Sequence, residues 1–142
     1  PNHLEDNVNS KPCLTLEDCK KIGAAAESEA RKNKWNVTIA ILDDGGHILW
    51  LERMDGATPF NAEVAVEKGR SAAVSRRTTK NWEDRVGAGR NALLNMPVLP
   101  IQGGVPIMVG AECVGAVGVS GVQSHEDEQI ANAGIAALGL KS

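Results

Sequence analysis

The chain has no tyrosine, one phenylalanine and three tryptophans among 142 residues. Its formal net charge is −3. Nucleic-acid readers pair basic surface with aromatic stacking platforms, and this composition supplies neither. No apolar run approaches the ~18 residues of a membrane span. No basic segment followed by an apolar one opens the sequence, so no secretory leader is expected in these residues. The three cysteines, Cys13, Cys19 and Cys113, are an odd number without a Cys-x-x-Cys pair. That argues against a disulfide framework or a zinc knuckle and points to a reducing, cytoplasmic compartment.

What the chain has in excess is glycine. Fifteen glycines are roughly half as many again as the ~7% average. With 42% hydrophobic and 23% charged residues, this predicts one ordinary globular domain whose core is small and aliphatic, with backbones packed close.

Residues 1–13 are polar and without periodicity, and read as a flexible N-terminal arm; residues 14–142 form the domain. Pro1 could supply a catalytic amine, but Asn2, His3, Glu5 and Asp6 follow it instead of a buried strand, so a trimmed tail is the better reading. Thr15 with Asp18 is a capping box. Leu16, Cys19, Ile22, Ala26 and Ala30 then recur at helical spacing, predicting a helix over 15–33. Two β-branched runs, 37–42 and 47–54, flank Asp43-Asp44-Gly45-Gly46 and predict a hairpin. Alternation places Leu49, Leu51 and Arg53 on one face of its second strand and Trp50 and Glu52 on the other. Helices are expected over 61–77, with Val64, Ala65, Ala72 and Ala73 inward, and over 79–86. The Pro- and Gly-rich stretch 87–104 reads as a functional or mobile connection. A second hairpin joins 105–109 to 113–119 around Gly110. Ser124 with Asp127 then predicts a cap for a final helix reaching about residue 138. Two hairpins separated by helices give an α+β domain with an antiparallel sheet.

Three blocks carry a resemblance: Asp43 to His47 leading to Glu52-Arg53-Met54-Asp55-Gly56, then Gly103 to Ile107, then Val114 to Gly121. Asp127 to Ala131, Gly134 and Leu138 follow. Together they resemble the GlcG/HbpS-like (haem-degrading domain) family, which includes the C-terminal domain of PduO-type proteins. The resemblance spans roughly residues 14–140. It implies a profilin-like antiparallel sheet of about five strands with helices packed on it, assembly into homo-oligomers, and haem as a possible cofactor. The haem-liganding histidine of PduO-type members lies in the first helix, where this chain has none.

Several chemistries are then open. Haem needs an axial His, Met, Cys or Tyr; the histidines are His3, His47 and His125. Arg70, Arg76, Arg77 and Lys80 form a basic stretch that could meet propionates, though a solvated helix end explains it as well. Glu63 with Glu67, and His125 to Glu128, are spaced for a hard cation, yet solvated faces are the commoner meaning, and no metal is expected. Cys113 and Ser120 are weak nucleophile candidates, and Gly118 to Gly121 is not a nucleophile elbow. A small-ligand cleft is the sharpest reading. Arg53 would clamp an anion or pair with a buried carboxylate. Gln102, Gly103, Gly104, Ser120 and Gly121 would offer backbone donors, and His47 a polar contact. Asp55 or Asp127 would act as acid or base. This predicts that Arg53, Gly103, Gly104, Ser120 and Asp127 meet in one cleft at a subunit interface. The protein would then be a homo-oligomeric small-ligand binder with haem as a candidate ligand, or alternatively a small isomerase, tautomerase or hydrolase acting on a carboxylated metabolite.

Overall fold

Thr15 starts the first helix by the expected reciprocal contact. Its hydroxyl accepts the Asp18 N–H at 3.1 Å, and the Asp18 carboxylate accepts the Thr15 N–H at 2.8 Å. The computed structural model describes residues 7–140. Its elements are α1 (Leu16–Lys32), β1 (Thr38–Asp43), β2 (Ile48–Arg53), α2 (Pro59–Ser75), α3 (Thr79–Gly87), a 3₁₀ turn (Asn91–Asn95), β3 (Gly104–Val109), β4 (Glu112–Ser120) and α4 (Ser124–Ala136). Pro1 and His3 lie outside the described residues.

The sheet runs β2-β1-β4-β3 with every neighbouring pair antiparallel. It has four strands among the described residues rather than about five. The stretch between α3 and β3 contributes none. Pro97 and Pro100 interrupt it, and proline has no N–H to give to a ladder.

Strand alternation divides the core. Ile39 and Ile41 point with Val117 and Val119 toward α1 and α4, where Ile22, Ala26, Ile130 and Ala131 meet them. Ala40 and Leu42 point the other way, onto Ala65 of α2. α2 lies over β4, β1 and β3 and leaves the matching face of the edge strand β2 uncovered. Leu49, Leu51 and Arg53 are therefore exposed. The reading of Arg53 as a buried partner of a carboxylate is thus corrected. Its Nε donates to the Ala57 carbonyl at 3.0 Å.

The glycine excess has a direct use here. A Cβ on Gly118 would lie 2.0 Å from the Ala65 carbonyl oxygen and 2.4 Å from the Gly69 nitrogen. β4 and α2 thus touch backbone to backbone, an approach that only glycine permits.

On the opposite face, Gly23 of α1 makes room for a polar cluster. A Cβ there would lie 2.8 Å from both Glu52 Oε1 and Trp50 Nε1. Trp50 Nε1 donates to Glu52 Oε1 at 3.1 Å, Glu27 shares a hydrogen bond with Glu52, and Arg31 Nε donates to Glu27 at 2.6 Å. Burial, reinforced by the Glu27 carboxylate, pushes the Glu52 carboxyl up from 4.5 to about 7, whereas Glu27 is held below its ordinary value. Folded Glu52 therefore keeps a proton that the unfolded chain releases. Its stabilising contribution is complete below about 4.5 and is lost as pH rises through about 7. Urea midpoints measured across this window should fall relative to those of Glu52→Gln, which removes the titration. A wild-type midpoint that rises relative to the variant's would contradict the assignment.

Candidate functional site

Helical spacing puts Lys68 in line with Ala65 and Ala72, so the inner face of α2 carries a lysine. Its Nζ donates to Asp127 Oδ2 of α4 at 2.9 Å and to the Val119 carbonyl at 3.1 Å. Asp127 Oδ1 accepts the Val122 N–H at 3.1 Å. The two side chains are 3% and 2% exposed. One buried ion pair thus ties together α2, β4 and α4. Burial pushes the Asp127 carboxyl upward, while the Lys68 ammonium and the Val122 N–H pull against it.

Gly103 and Gly104 close over this lysine. A Cβ on Gly103 would lie 2.8 Å from Lys68 Nζ, and one on Gly104 would lie 2.2 Å from the Lys68 carbonyl oxygen. The Gly104 N–H donates to Thr79 Oγ1 at 2.8 Å, and the Gln102 N–H to Glu83 at 3.0 Å. The close approach permitted by these glycines is made to α2.

In front of the pair a cleft of about 520 Å³ opens. Phe60, Asn61 and Val64 of α2 form one wall, Leu99 and Ile101 a second, and Ser120, Gly121 and Val122 a third. Lys68 and Asp127 close its inner end, and Glu63 and Glu67 stand at its mouth. Ser120 Oγ donates to Asn61 Oδ1 at 3.0 Å, a polar contact on the walls between the charged inner end and the acidic mouth. The stretch 97–102 is a fixed strap: Ser71 Oγ accepts the Leu99 N–H at 2.8 Å, Arg70 donates to the Pro97 carbonyl at 3.0 Å, and the Gln102 side chain donates to Glu128. An apolar pocket with a few fixed polar groups is the usual form of a small-ligand site.

Of the residues singled out from sequence, Ser120, Gly121 and Asp127 line this cleft, while Gln102, Gly103 and Gly104 lie behind it. Arg53 stands in register with Thr38, and Thr38 with Ser120. This puts Arg53 two strands, roughly 10 Å, from the cleft wall. Asp55 is exposed beyond β2. His47 is exposed at the far end of β1, 3.2 Å from Asp43. Three of the four residues of the basic stretch are partnered within the chain: Arg70 pairs with Glu67 at 3.1 Å, Lys80 with Asp84 at 2.7 Å, and Arg76 reaches the Asp44 carbonyl, while Arg77 is exposed. Cys113 is buried, its thiol against the Gly115 and Ala73 carbonyls. Among the described residues no group of three or more His, Cys, Asp or Glu side chains is placed to hold a metal ion, and no helix is long and apolar enough to cross a membrane.

The family model described as "Haem degrading protein HbpS-like" matches residues 14–136. The chain belongs to the HbpS-like family. It is 46% identical over 114 residues to "Protein GlcG" of Escherichia coli strain K12, covering 80% of this chain and 85% of the relative. It is 27% identical over 132 residues to "Corrinoid adenosyltransferase PduO" of Salmonella typhimurium, covering 89% of this chain and 39% of that longer protein. Among solved structures, a double mutant of HbpS from Streptomyces reticuli superposes with a TM-score of 0.85 at 30% identity, covering 94% of this chain and 92% of the other. A structure titled as a PduOC:heme complex superposes with a TM-score of 0.83 at 25% identity, covering 92% of this chain and 98% of the other. The HbpS-like fold therefore runs through nearly the whole chain.

Sequence reasoning missed Lys68. The signal was present in the periodicity of α2, where a lysine interrupts a face of alanines and glycines.

Proposed function

We propose that this HbpS-like chain is a small-ligand-binding protein whose ligand occupies the cleft in front of Lys68 and Asp127. The observation that carries this is the buried ion pair at the inner end of a largely apolar cleft. It fixes α2, β4 and α4 relative to one another, so the pocket is preorganised. The enzymatic alternative has less support. Arg53 stands two strands away, Asp55 is on an exposed turn, and both oxygens of Asp127 are bonded within the chain.

Haem, the ligand named for a structural neighbour, does not fit this cleft. Haem iron takes an axial His, Met, Cys or Tyr. Among the described residues none of these lines the cleft, and α1 has no histidine. The lining carries Glu63, Glu67 and Asp127 against Lys68 alone, the wrong sign for two propionates. Exposed Leu49 and Leu51 on the uncovered face of β2 support the reading that copies of the chain associate.

Haemin titration tests the assignment, with Val64→Trp as the variant that fills the cleft. The expected result is that wild type and Val64→Trp titrate alike, with no Soret shift that depends on the cleft. A saturable shift that Val64→Trp removes would overturn it.

A further inference from the structure

The charges around the cleft select the sign of its ligand. This step rests on the cleft being the ligand site. Lys68 brings the one positive side chain among the lining residues, and its charge is already paired: two of its three N–H groups go to Asp127 and Val119, and Gly103 packs against the amine. The pair is therefore neutral toward a ligand. The starts of α2 and α4 border the cleft, and a helix start favours anions. Both are already served from within the chain. Thr58 Oγ1 caps the Asn61 N–H at 3.4 Å, Glu126 accepts the Gln123 N–H at 3.2 Å, and α4 carries Glu126 and Asp127 in its first turn. What is left facing the opening is Glu63 and Glu67. Arg70 offsets Glu67 at 3.1 Å, whereas Glu63 has no ion-pair partner among the described residues.

We infer that the ligand of this cleft is an organic cation. Its ammonium group meets Glu63 at the mouth, its apolar body lies on Val64, Leu99 and Ile101, and a hydroxyl or carbonyl reaches the Ser120–Asn61 contact. A carboxylate in the same place would face Glu63 and Glu67 with no free positive side chain to answer it. The class is thus amines with a short apolar body, not carboxylic acids.

Calorimetric titration with benzylamine, benzyl alcohol and benzoate at neutral pH separates the possibilities, because the three share a body and differ in charge. Glu63 is exposed, so benzylammonium is expected to bind about two- to fivefold tighter than benzyl alcohol, with benzoate weakest. Glu63→Gln should bring benzylammonium to the level of benzyl alcohol and leave benzyl alcohol unchanged. Benzoate binding as tightly as benzylammonium, or an unchanged benzylammonium affinity in Glu63→Gln, overturns the charge assignment and leaves the cleft as the ligand site. Binding of no probe, or binding that Val64→Trp does not weaken, overturns the cleft reading itself.

Discussion

Replacing Lys68 with methionine should destabilise the fold by about 3–5 kcal/mol, because it leaves a carboxylate buried without its partner. Asp127 is 2% exposed at its side chain, so water cannot take over the lost contact. The remaining Val122 N–H bond holds only one of its oxygens. Asp127→Leu strands the ammonium in the same way, with the Val119 carbonyl as its last partner. Changing both together removes two buried charges, and well-packed apolar replacements of an ion pair are often neutral or better. The Lys68→Met, Asp127→Leu double variant should therefore recover most of the loss. Urea unfolding of the wild type, two singles and the double closes the cycle. Single variants that each cost under about 1 kcal/mol and add in the double would place the pair among weak surface contacts.

The second large effect is at Gly118. Alanine there pushes a methyl carbon into the Ala65 carbonyl and the Gly69 backbone. Neither can swing aside as a side chain would, so α2 must lift from β4. The expected cost is about 3 kcal/mol or more, at the upper end for overpacking. Gly69→Ala is a graded comparison, since its nearest obstacle is a methyl of Leu42, and rotamer adjustment should keep its cost near 1–2 kcal/mol. Gly87 has nothing within 4 Å of its would-be Cβ, and its alanine variant should be close to neutral or slightly stabilising. Equal midpoints for the Gly118 and Gly87 variants in urea would show that the backbone contact is not what holds α2 down.

Features set by neighbours in sequence were legible. The Asp43-Asp44-Gly45-Gly46 turn does join β1 to β2, where Asp43 Oδ1 accepts the Gly45 and His47 N–H groups at 2.9 Å each. The Thr15 box starts α1, and α3 starts at Thr79 as expected, whereas α2 starts at Pro59 under a Thr58 cap, two residues before the expected start at residue 61. The cap of the last helix lies one residue before the expected Ser124–Asp127 pair. Gln123 with Glu126 forms its box, because the Asp127 carboxylate is taken by Lys68 and Val122. That competition comes from 59 residues away and leaves no local trace.

The site was harder to read for the same reason. Glycine signals close approach but does not say to what. From sequence Gly103 and Gly104 signal room for a ligand, whereas the structure fills that room with α2. Alternation does put Arg53 on one face with Leu49 and Leu51, but whether that face is covered depends on where α2 lies across the sheet. Ser120, Gly121 and Asp127 do share a cleft, which the shared blocks had suggested without supplying its other wall. Phe60, Val64, Leu99 and Ile101 come from segments that carry no motif.

Amide chemical-shift mapping of isotope-labelled protein titrated with benzylamine locates the ligand on the fold. A ligand in the cleft gives saturable shifts at Asn61, Ile101 and Ser120 to Val122, with the His47 hairpin and α1 unmoved. Shifts confined to that hairpin or to α1, or no saturable shift at the cleft residues, would contradict it.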